Sequence, residues 1–95
     1  MNRVPPALYL LEIVERCPKS MLSYLLIWKL MDNNCYAKIR KDTMRNDILM
    51  SPTRFRNDLF ELVKTGLISF EDKVDYFLVE AVDYDAEEEI NEFAC

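Results

Sequence analysis

A hydroxyl, two guanidinium groups and a carboxamide fall within five positions of the stretch SPTRFRNDLFELVKTGLI, residues 51–68, as Thr53, Arg54, Arg56 and Asn57. Such groups recognise rather than react. A guanidinium forks parallel N–H donors onto a carboxylate, a phosphate or any paired acceptor edge, and a carboxamide offers a donor beside an acceptor. Five further cations stand within 16 positions of this stretch: Lys38, Arg40, Lys41 and Arg45 before Ser51, and Lys64 within it. Residues 36–66 therefore carry seven bases against four acids, a net of +3.

Groups that could break bonds are scarce. The chain has no histidine, which removes the commonest general base near neutral pH and every Ser-His or Cys-His nucleophile. Its only glycine is Gly66, so no glycine-rich loop can cradle a phosphate. Cys17, Cys35 and Cys95 form an odd set without CxxC spacing, and a four-ligand metal site would need carboxylates to complete it. They read as reduced thiols of a cytoplasmic protein, in the nucleoid or a host cell. The expectation is a protein that is not an enzyme, with no catalytic residue, metal, cofactor or small-molecule substrate. No apolar run approaches the ~18 residues of a membrane span. Glu12 and Glu15 interrupt the apolar N-terminal stretch, which excludes a signal peptide.

The overall charge of −5 conceals an asymmetry. Residues 80–95, EAVDYDAEEEINEFAC, hold seven acids and no base, leaving twelve bases against ten acids in residues 1–79. The molecule is polarised, with a mildly basic middle and an acidic end.

At 95 residues the chain is one domain, and its hydrophobic content of 51% suits a globular protein. Pro5 and Pro6 open a first helix that ends near Cys17 and Pro18. Residues 19–32 form a second helix, apolar almost all round, so two partners must cover it: the core, and either the first helix or a second subunit. CYAKIRK alternates as a short strand, with Ala37 and Ile39 on one side. Asp42 or Thr43 caps a short helix, TMRNDILM, whose Met44 and Ile48 share a face. Ser51 is a good N-cap and Pro52 a good first residue for the helix that follows. Its inward seam is Phe55, Leu59 and Leu62, and Gly66 supplies the left-handed stop. LISF and VDYFLVEAV, joined by Glu71, Asp72 and Lys73, predict an antiparallel hairpin. The fold class is mainly α with a small antiparallel β-hairpin.

From Met44 and Ile48, through Ser51, Pro52 and Thr53, to the exit Gly66-Leu67-Ile68, the order of elements over residues 22–82 resembles a winged helix-turn-helix domain. Small bacterial and phage transcription regulators and replication initiators contain such domains. The resemblance implies a domain at residues 1–82: an extra N-terminal helix at 1–17, the helix-turn-helix at 43–66 and the wing hairpin at 67–82. An acidic tail or short helix follows at 83–95. It also implies that the helix at 51–65 enters a DNA groove. Thr53, Arg54 and Asn57 would then read base edges, and Lys38, Arg40, Lys41, Arg45, Arg56 and Lys64 would meet phosphates. The chain departs from the family pattern at three points. Leu49 stands where the turn usually has a small residue, Asp58 replaces an apolar residue, and the hairpin tip EDKVD sets three acids around Lys73. An acidic tip should repel a phosphate backbone.

A winged helix that binds protein instead, as a phage-encoded inhibitor or adaptor would, is the alternative. Leu8, Leu11, Trp28, Phe60, Ile90 and Phe93 are the candidate partner or dimer surface, with Phe60 expected either against Trp28 or the first helix or as an exposed anchor. Ala86, Ile90 and Phe93 give the acidic tail one apolar face at helical spacing.

Overall fold

The computed structural model describes residues 4–83. Among these residues, four helices and a three-stranded antiparallel sheet make an α+β domain. The chain runs through α1 (Ala7–Arg16), a 3₁₀ turn (Pro18–Ser20), α2 (Met21–Leu30), β1 (Tyr36–Arg40), α3 (Met44–Asp47), α4 (Pro52–Val63), β2 (Ile68–Asp72) and β3 (Tyr76–Ala81). The tail residues Ile90 and Phe93 lie outside the described residues.

Proline sets both limits of α1. The Pro6 carbonyl accepts from the Tyr9 and Leu10 amides at 3.0 and 3.2 Å, and Pro18 follows one residue after the last turn. Tyr9 and Ile13 face inward, while Leu8, Leu11 and Val14 stand open. The second helix starts two residues later than its pattern suggests, because Pro18 initiates a 3₁₀ turn instead. It stops at Leu30, where the Asp32 carboxylate accepts from the Asn34 and Tyr36 amides at 2.8 and 3.0 Å and closes a turn. Ser23, Tyr24, Ile27 and Trp28 of α2 are buried. Leu22, Leu25 and Leu30 on its other face remain exposed. Trp28 is no surface residue: it is 2% exposed, with the Tyr9 and Tyr24 rings at 6.3 and 6.4 Å.

β1 adds a third strand to the expected hairpin. It pairs with β3 rather than β2, so the order is β1-β3-β2 and β3 is central. Alternation puts Ala37, Ile39, Phe77, Val79 and Ala81 under the helices, all at most 5% exposed. The hairpin joint also shifts. β2 continues through Asp72 and β3 begins at Tyr76, leaving Lys73, Val74 and Asp75 as the turn.

α3 is a single turn, with Met44 and Ile48 buried as their spacing requires. Leu49 then takes the left-handed conformation, φ 53°, with 85% of its surface exposed. The chain reverses there as a glycine would allow, but at the steric cost of a side chain. Ser51 caps α4 by accepting from the Arg54 amide at 3.2 Å, and Pro52 follows at the first position. Phe55, Leu59 and Leu62 are fully buried, and Phe55 meets the Phe77 ring at 5.4 Å. Gly66 ends the segment at φ +79°.

Candidate functional site

Two polar anchors fix how α4 lies. On its α2 side, Asp58 accepts a hydrogen bond from Ser23 Oγ at 2.5 Å and a longer one from Ser20 Oγ at 3.4 Å. Both serines are buried, so the carboxylate stands where an apolar contact would otherwise join these helices. On its sheet side, Arg56 Nε donates to Asp72 Oδ2 at 2.6 Å. Lys41 Nζ donates to the other oxygen, Oδ1, at 2.5 Å and to the Lys73 carbonyl at 2.5 Å. Strand register explains the meeting. Asp72 lies opposite Phe77 on the face that covers the helices, at the end where the hairpin overhangs α4. The two donated hydrogen bonds hold the Asp72 carboxyl below its usual range. Both cations also lie over the Phe77 ring, Lys41 at 4.8 Å and Arg56 at 5.6 Å.

Between these anchors, Thr53, Arg54 and Asn57 are exposed on the outer side of α4. Arg54 and Arg45 make no ion pair among the described residues. The other cations expected to meet phosphates are engaged. Arg40 pairs with Asp42 at 2.7 Å, Lys64 with Glu61 at 3.2 Å, and Lys38 lies 4.5 Å from the centre of the Tyr76 ring. At the hairpin tip, Glu71 is matched by Lys73 at 2.8 Å, while Asp72 is turned inward onto Lys41 and Arg56. Two of the three acids of the tip, Glu71 and Asp72, are thus paired with bases, whereas Asp75 makes no ion pair among the described residues.

Phe60 does not reach Trp28. It is 55% exposed, meets the Phe70 ring edge-on at 5.3 Å, and lines an open groove of ≈ 540 Å³ with Cys17, Pro18 and Asn57. Burial, reinforced by the Glu61 and Asp58 carboxylates against the pull of Arg16, raises the pKa of the Cys17 thiol, which keeps it protonated. Among the described residues, no three His, Cys, Asp or Glu side chains converge as a metal would need, and no helix is long and apolar enough to cross a membrane.

Two polar pairings escape a reading of the sequence. Asp72 shares the inward face of β2 with Ile68 and Phe70 by simple alternation, but only if the strand is taken through the acidic run. Ser23 is a small polar residue on the buried face of α2, a signal that some partner must satisfy it.

Comparison of the chain with known protein families, with curated proteins and with solved structures finds no match.

Proposed function

We propose that this domain binds double-stranded DNA, with α4 as the helix that reads it. The observation that carries this reading is the outer face of α4, where Thr53, Arg54 and Asn57 lie open opposite the buried seam of Phe55, Leu59 and Leu62. Asparagine matches the paired edge of adenine, and arginine that of guanine or a phosphate. The chain order supports the same reading. A strand, two helices meeting at a tight turn, and a hairpin whose second strand pairs with that first strand resemble the order of a winged helix-turn-helix. In that arrangement the second helix of the motif lies in the major groove. Arg45, exposed on the helix that would cross the backbone, is suited to a phosphate. Such a protein would act as a transcription regulator or replication accessory.

Fluorescence polarisation of a short labelled duplex at roughly 50 and 200 mM salt tests the proposal, because each neutralised phosphate adds about −0.9 to the slope of log affinity against log salt. Arg54→Ala combined with Arg45→Ala should remove most of the binding and flatten that slope. Binding that ignores both substitutions rules out α4 as the reading helix.

Phe60 favours a second reading, a module that binds protein. An aromatic side chain more than half exposed beside a groove suits a partner's anchor residue. Under that reading the duplex stays unbound at the lower salt concentration, and Phe60→Ala abolishes partner capture without lowering the melting temperature.

A further inference from the structure

We infer that Asp72 is an internal counter-ion seated where a phosphate of the bound backbone would sit, so that binding exchanges the carboxylate for phosphate between Lys41 and Arg56. The inference rests on the DNA-binding reading and adds regulation of the same face. Each carboxylate oxygen takes one cation, Oδ1 from Lys41 at 2.5 Å and Oδ2 from Arg56 at 2.6 Å. The two free oxygens of a phosphodiester present the same pair of acceptors to the same pair of donors.

The seat stays organised when its occupant leaves. Lys41 keeps its bond to the Lys73 carbonyl, and both cations keep the Phe77 ring beneath them. It is also reachable from solvent, since the Lys41, Arg56 and Asp72 side chains are 20%, 35% and 31% exposed. Arg56 follows the exposed Thr53 by three residues in α4 and is its neighbour on the helix surface, so the seat borders the outer face of α4. A purely structural clamp between hairpin and helix is the competing account. It predicts that losing the carboxylate loosens the protein and gains nothing toward anions.

Asp72→Asn separates the two, because it keeps the shape and removes the charge. Short labelled duplex and inorganic phosphate are the probes, against full-length wild-type and variant protein. Exchange predicts that the variant binds duplex about tenfold more tightly near 50 mM salt, with a slope steeper by about one to two. Inorganic phosphate should then raise the melting temperature of the variant at concentrations that leave the wild type unmoved. Lys41→Ala on the Asp72→Asn background should reverse both gains. If Asp72→Asn fails to fold, Asp72→Glu, which keeps the charge but displaces it by a methylene, should give a smaller gain in the same direction.

Duplex binding that depends on Arg54 but is unchanged or weakened by Asp72→Asn overturns the exchange and leaves the DNA reading standing. Phosphate stabilisation of the variant without any duplex binding upholds the seat and overturns the DNA reading. No gain with either probe overturns the exchange.

Discussion

The contact between Asp58 and Ser23 should couple α4 to α2 in a way a double-mutant cycle can measure. Ser23 is fully buried, and its hydroxyl reaches Asp58 Oδ2 at 2.5 Å; the other acceptor it meets among the described residues is the thioether sulfur of Met50 at 3.3 Å. A hydrogen bond to a charged group contributes about 1.5–3 kcal/mol, and an orphaned buried hydroxyl costs about 1–3 kcal/mol. Thioether sulfur is a weak acceptor and recovers little of that. Asp58→Ala should therefore destabilise the domain by about 2 kcal/mol, a fall in melting temperature of roughly 8–16 °C for a chain of this size. Ser23→Ala leaves a partly exposed carboxylate that water can solvate, and should cost about 1 kcal/mol. The double variant should cost little more than Asp58→Ala alone, because the orphaned hydroxyl has gone too. Urea unfolding of all four proteins gives the coupling directly, with about 1 kcal/mol expected. Additivity within about 0.5 kcal/mol would show the two residues to be energetically independent and refute the anchoring role.

The other predictions concern backbone and charge. Leu49→Gly should raise stability by about 0.5 kcal/mol, since relief of a left-handed side chain slightly exceeds glycine's entropy and the little burial lost at 85% exposure. Leu49→Val, β-branched at the same φ, should lower it by about 1 kcal/mol, and equal melting temperatures for all three proteins would remove the strain. Gly66→Ala should cost about 1–2 kcal/mol from conformation alone, because an added Cβ meets nothing within 4 Å at φ +79°; a loss above about 3 kcal/mol in urea would point to a clash instead. Asp72, whose carboxyl is held below its usual range, contributes stability that is complete above the unfolded carboxylate pKa of about 3.9 and fades as pH falls through the lower folded value. The urea midpoints of wild type and Asp72→Asn should therefore differ above about pH 4 and converge below it, and a constant gap down that range would contradict the linkage.

What could be read from the residues in order was whatever depends on neighbours in sequence. Ser51 with Pro52, the seam of Phe55, Leu59 and Leu62, the alternation of Ala37 and Ile39, and the stop at Gly66 all appear where capping chemistry and periodicity place them. These features depend on φ, ψ and side-chain direction over a few residues, which sequence specifies directly. Partner choice across the fold was not legible in this way. The pairing of β1 with β3, the enclosure of Trp28 by Tyr9 and Tyr24, Asp58 with its two serines, and Asp72 between Lys41 and Arg56 join residues 16 to 44 positions apart, apart from the neighbouring Tyr24 and Trp28 rings. A charge on paper carries no partner. Only when sheet register set Asp72 over α4 did an acidic hairpin tip, expected to repel phosphate, become the counter-ion of two bases on the candidate binding face. Local sterics choose the elements, but packing decides which polar groups face one another, because a buried or overhung charge takes whichever partner the closed core brings within reach.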